Sequence, residues 1–168
     1  NRQVEKGRYQ AISEARLREA LTNGPKLTDE EQRMLLLSPL VRSDYFTMRK
    51  QLKKEIEEKL IGSGIETHIY AMAADADEGE VVIPGKNFKV ILTRHEDMGV
   101  PWIILLQLDS KFLQAINPMT QLRLVDSGGL EWLKGLPDSN GEITAVWQDS
   151  LTDILQRSKR FSLHLEPV

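Results

Sequence analysis

Around Ile61-Gly62-Ser63-Gly64 the spacing of apolar residues changes from that of a helix to that of a strand. Before this point Met48, Leu52, Ile56 and Leu60 recur at every fourth position, with Phe46 leading in. That is the period of one buried helical face. Arg49, Lys50, Lys53, Lys54, Glu55, Glu57, Glu58 and Lys59 take the other faces, and Glu55 with Lys59 is a correctly oriented i, i+4 pair. After it, alternation takes over: Phe161, Leu163 and Leu165 interleave with Ser162, His164 and Glu166. Period two places one side of such a strand in a core. A chain that switches period once, at a glycine pair, is expected to be α+β. The expected fold is an N-terminal helical arm of about three helices over 1–62, then a mostly antiparallel β-sandwich-like domain over 65–168.

Within the arm, residues 13–21 are strong helix formers with charges in helical register. The apolar stripe of Ile12, Leu17, Ala20 and Leu21 is narrow and requires a partner surface, because an isolated helix of this length is marginal. Asn23-Gly24-Pro25 stops it. Thr28-Asp29-Glu30-Glu31 is a capping box opening a second helix, expected to bury Met34, Leu35 and Leu36. Ser38-Pro39 ends that helix and starts the third, with proline at the first helical position. In the β half, strands are predicted over 66–73, 80–83, 88–93, 102–108, 121–125, 131–134, 142–147 and 160–165, with a helix over 149–157. Pro84-Gly85-Lys86-Asn87, Asp126-Ser127-Gly128-Gly129 and Asp138-Ser139-Asn140-Gly141 supply turn signals, the last with the Asn-Gly step of a hairpin.

Charge follows the same division. Residues 1–60 carry 13 Lys/Arg against 10 Asp/Glu, and residues 61–168 carry 9 against 15. The overall charge of −3 predicts no general affinity for nucleic acid. Cysteine is absent, which excludes disulfides, thiolate nucleophiles and zinc–thiolate sites. The first twenty residues are charged and hold no apolar signal-peptide core, and the densest apolar stretch, 100–108, is too short to span a bilayer. The expectation is a cytoplasmic location with no membrane partner. The chain opens on Asn1 inside a helix-like pattern and reads as a piece of a longer protein.

No catalytic constellation emerges. His68, His95 and His164 are not at metal-ligand spacing, and they read as ordinary, partly exposed histidines. The acidic run from Asp75 to Glu80 departs from a calcium loop. Its glycine falls one position early, and Lys86 stands where the bidentate glutamate belongs. Neither Ser63 nor Ser127 lies in a nucleophile elbow, and there is no phosphate-binding glycine loop. Trp102, Trp132 and Trp147 read as packing residues, and the basic cluster Arg49, Lys50, Lys53 and Lys54 as a solvated helix face. No catalytic, cofactor-binding or metal-ligating residue and no cofactor is expected. Leu17, Leu21, Met48, Leu52 and Ile56 are the expected interaction residues.

Residues 27–60, from Leu27-Thr28-Asp29-Glu30-Glu31 through Ser38-Pro39-Leu40 to Arg49-Lys50-Gln51-Leu52, resemble the short-helix, loop, long-helix run of bacterial anti-sigma-factor domains. The resemblance implies a helical module that clamps a sigma factor. The His and Cys ligands of the zinc-bearing branch are missing. Residues 100–168, with Leu122-Arg123-Leu124-Val125-Asp126, Gly128-Gly129 and Asp138 to Ile143, resemble carboxypeptidase-regulatory or transthyretin-like β-sandwiches. Those are accessory domains that bind or space. Together the resemblances imply a non-catalytic interaction or regulatory module of a bacterial protein, with a sigma factor or another regulator as its protein partner. Two alternatives stay open. One is a sigma-binding regulator of a type III-E CRISPR antiviral system, cut by a caspase-like protease, with which Met48-Arg49 in a charged helix is compatible. The other is an accessory domain of an enzyme or a structural assembly.

Overall fold

The computed structural model describes residues 11–70, 75–77, 79–94, 101–147 and 153–168, with the backbone alone for 75–77. The fold is α+β, with the long helices N-terminal and antiparallel sheets after them. The chain divides into two compact units, Asn1–Glu55 and Ile56–Val168.

The first unit contains α1 (Glu14–Leu21), α2 (Asp29–Leu37) and the greater part of α3 (Pro39–Gly62). Ser13 caps α1 by accepting from the Arg16 amide. The helix ends because the Gly24 amide turns back to the Glu19 carbonyl at 2.8 Å. A Cβ at Gly24 would lie 2.8 Å from that same oxygen, so only glycine fits. The capping box of α2 is present in both directions: Thr28 Oγ1 accepts from the Glu31 amide at 3.2 Å, and Glu31 Oε1 accepts from the Thr28 amide at 3.1 Å. A small core of Ile12, Leu17, Val41 and Met48 forms, with Leu21, Met34, Leu35, Tyr45 and Leu52 packed against it. Leu36 does not join it, contrary to the sequence expectation. It lies 75% exposed, because Met34 and Leu35 already occupy the inward side of this short helix.

The second unit contains the end of α3 and two antiparallel sheets. One sheet runs β1 (His68–Ile69), β9 (Leu163–Pro167), β6 (Leu122–Asp126), β7 (Glu131–Gly135). The other runs β2 (Asp75–Asp77), β3 (Glu80–Ile83), β4 (Phe88–Thr93), β5 (Ile103–Leu108), β8 (Glu142–Val146). Register explains the core of the second sheet. Ile83, Val90, Leu106 and Ile143 line up across four strands on one face, and Val81, Leu92 and Ile104 form the next row. All seven are buried and belong to one cluster with Leu122, Leu124, Leu163 and Leu165 of the first sheet. Each such side chain contributes about 1.5–3 kcal/mol on burial. Ile56 packs against this cluster and Leu60 is part of it.

Two shorter helices complete the unit. The helix α4 (Ser110–Ala115), which periodicity does not predict, is capped by Asp109 and buries Phe112 edge-on against Phe88. Six residues are too few for a helical stripe to register. The helix α5 (Ile154–Arg160) covers the end of the helix predicted over 149–157, of which 149–152 lie outside the described residues, and runs three residues past it. The last strand is likewise displaced toward the C-terminus, at Leu163–Pro167. The turn at Asp138 to Gly141 forms, with Asp138 Oδ1 accepting from the Asn140 and Glu142 amides. It is not a hairpin, since β7 and β8 belong to different sheets. The Asp126 to Gly129 turn is the true hairpin, joining the paired strands β6 and β7. No helix among the described residues is long and apolar enough to cross a membrane.

Candidate functional site

Of the expected interaction residues, Leu17 and Met48 are buried, and Leu21, Leu52 and Ile56 are half-buried. Leu17 and Met48 are buried in the first unit's core, with Leu21 and Leu52 packed against them, and Ile56 packs against the core of the second unit. The narrow stripe of α1 therefore finds its partner surface in α3, at Val41 and Met48. Exposed apolar surface lies elsewhere. At the corner where α2 meets α3, Leu36 is 75%, Leu37 76% and Leu40 64% exposed, and Phe46 follows one turn and a half along α3 at 54%. Sequence periodicity missed the corner because a run of three leucines in a nine-residue helix reads as core. The signal that marks it is the Pro39 helix start, which turns the chain directly after Leu37.

Polar contacts hold the corner in place. Arg42 Nη1 donates to the carbonyls of Leu35 and Leu36, at 3.3 and 2.6 Å, and so satisfies the open C-terminal end of α2. The Ser38 amide donates to the Met34 carbonyl, and the Val41 amide to Ser38 Oγ. At the other end of α2, Arg16 grips Glu31 with two nitrogens, Nε to Oε2 at 3.0 Å and Nη2 to Oε1 at 2.9 Å. It also donates to the carbonyls of Pro25 and Lys26. Arg16 and the Thr28 amide hold the Glu31 carboxyl below its ordinary value. Arg18 makes a two-pronged pair with Glu55, at 2.8 and 3.0 Å, tying α1 to α3 and lowering the Glu55 carboxyl in the same way. The corner is thus a fixed shape with leucines outward.

The second unit has two clusters of titratable groups. On the first sheet His68 and His164 face each other across β1 and β9, their rings stacked 4.1 Å apart and 6° from parallel. Tyr70, 68% exposed, continues the stack beside His68 at 6.1 Å. His164 Nδ1 is 4.0 Å from Glu166 Oε2, and Glu166 is held by Arg123. Parallel stacked imidazoles project their in-plane lone pairs side by side rather than at one point. Among the described residues no group of three or more His, Asp or Glu is arranged to hold a metal ion. His95 lies outside the described residues, as do the side chains of Asp75 and Asp77.

The other cluster centres on Asp126, whose side chain is fully buried. It accepts from the amides of Gly128 and Leu130, from Trp132 Nε1 at 2.9 Å, and from Arg157 Nη2 at 2.8 Å and Nε. Burial pushes this carboxyl up, but the bonds from Arg157, Trp132 and Leu130 outweigh it and hold it below the ordinary value. Arg157 also lies over the Phe161 ring at 4.4 Å. With five donors on its two oxygens, the carboxylate joins the β6–β7 hairpin to α5. Trp132 and Trp147 are buried edge-to-face at 6.0 Å as packing residues, and Trp102 is half-buried. No protein-family model matches the chain, and comparison with curated proteins and with solved structures finds no match.

Proposed function

We propose that this chain is a non-catalytic protein-interaction module whose contact surface is the apolar corner of Leu36, Leu37 and Leu40 between α2 and α3. The observation that carries the reading is the exposure of these adjacent leucines on a corner fixed by Arg42. Adjacent exposed apolar side chains are one of the surface features that mark protein–protein contact sites. Among the described residues, three close acid–base pairs are engaged with one another: Asp126 with Arg157, Glu166 with Arg123, Glu31 with Arg16. That favours contact over catalysis. Within this reading, regulation of a sigma factor is one form the contact takes, on the strength of the resemblance of residues 27–60 alone.

The test is capture of a protein partner by in-cell cross-linking to the whole chain, repeated with Leu37→Asp/Leu40→Asp. Both side chains are already in water, so the variant is expected to keep its far-UV circular dichroism and lose the partner. A charge in a desolvated contact is costly. Equal capture by both proteins, or capture by neither, counts against the corner as the contact surface.

A further inference from the structure

The face of α3 that continues from this corner has a chemistry of its own. Phe46, Arg49 and Lys50 are all exposed. Residues three and four apart are surface neighbours on a helix, so Arg49 and Lys50 emerge next to Phe46 on the helix surface. From Tyr45 to Lys54 the helix carries four basic residues and no acidic one. Arg49 precedes Lys53, and Lys50 precedes Lys54, each by four positions. Glu55, the nearest acid on the C-terminal side, is already committed to Arg18. Among the described residues, Arg49 and Lys50 have no acidic partner, and the Arg49 guanidinium lies 5.9 Å from the Tyr45 ring.

Resting on the interaction-module reading, we propose that the Phe46, Arg49 and Lys50 face of α3 docks an acidic protein segment carrying an apolar anchor. Charge complementarity names the occupant: carboxylates would answer the cationic groups of Arg49 and Lys50 beside the exposed Phe46. The apolar anchor would sit on Phe46, aromatic residues and Arg being enriched at protein interfaces. Nucleic acid fits less well. The strip from Phe46 to Lys54 is about 12 Å long at the helical rise, too short to follow a phosphate backbone. Glu55, Glu57 and Glu58 follow at once, and the chain is net negative.

A display selection of random peptides on the whole chain tests this without presuming a sequence. The expected result is enrichment of peptides rich in Asp and Glu around an apolar residue. A synthetic copy of the leading peptide should bind about tenfold or more weakly to Arg49→Glu/Lys50→Glu and to Phe46→Ala, and more weakly as ionic strength rises. The charge-reversed variant places Glu four residues before Lys53 and Lys54, the favourable order, so its loss of binding does not arise from a lost helix. Enrichment of peptides without acidic character, undiminished binding to the charge-reversed variant, no enrichment at all, or tighter binding of single- or double-stranded oligonucleotides would each overturn the proposal. Non-acidic peptides that are lost on Leu37→Asp/Leu40→Asp would leave the corner as an interaction site and remove only the acidic partner.

Discussion

The two units hold themselves together by different means. Among the described residues, the helical unit buries four apolar side chains in its core cluster, whereas the β unit buries 23 in one cluster. The helical unit relies on polar links that cross between elements: Arg16 to Glu31 and the loop carbonyls, Arg18 to Glu55, and Arg42 to the end of α2. Most of these side chains are partly in water, where an ion pair contributes little on its own. In the β unit the corresponding device is a single buried carboxylate, Asp126, gripped by five donors. A second polar link runs from buried Asn87, which accepts from the Glu66 amide and donates to the exposed Asp109 that caps α4. The contrast shows where each unit is vulnerable. A small core makes the helical unit marginal, and a buried charge makes the β unit depend on one pairing.

All three tryptophans belong to the β unit, so their fluorescence reports it selectively, while far-UV circular dichroism is weighted toward the helices. The largest expected effect is at Asp126. Asp126→Ala takes from Arg157 its buried carboxylate and leaves Trp132 Nε1 without its acceptor, and should lower the β unit's stability by about 3–5 kcal/mol in denaturant titrations followed by fluorescence. The pH dependence has a definite sign. The folded carboxyl sits below its ordinary value, so its stabilisation is present above an unfolded value of about 3.9 and is lost as pH falls through the folded one. Asp126→Asn should flatten the acid limb of the stability curve. An unchanged acid limb would show that other carboxylates produce it.

Next in size is Leu17→Ala, which opens the helical unit's small core and should cost that unit about 2–4 kcal/mol. Helical ellipticity should fall at lower denaturant while the tryptophan midpoint stays in place. An equal shift of both signals would mean that the units unfold as one and would erase the distinction drawn between them. The smallest effect is expected at Thr28→Ala, which removes one half of the capping box and should cost about 1 kcal/mol. Hydrogen exchange should register it as faster opening of the first turn of α2, with the amides of β4 and β5 unaffected. Protection of α2 equal to wild type would show that Arg16, through Glu31, holds the helix start without the cap.

The sequence by itself determined what is local. The capping box at Thr28, the proline start of α3, the turns at Asp126 and Asp138, and the strands at Glu80–Ile83 and Phe88–Thr93 follow from the chemistry of a few neighbouring residues. The change of period near Gly62 likewise announced the α+β order, because periodicity measures which face is buried. Tertiary structure decided everything that depends on which face meets which. It placed β7 and β8 in different sheets although a turn signal joins them, and it brought His164 opposite His68 from nearly a hundred residues away. It buried Leu17 and Met48, half-buried Leu21, Leu52 and Ile56, and left Leu36, Leu37, Leu40 and Phe46 largely in water. An apolar residue has the same pattern in a sequence whether its partner is the chain itself or another molecule. Only the distances between elements separate the two, and those are fixed by long-range packing.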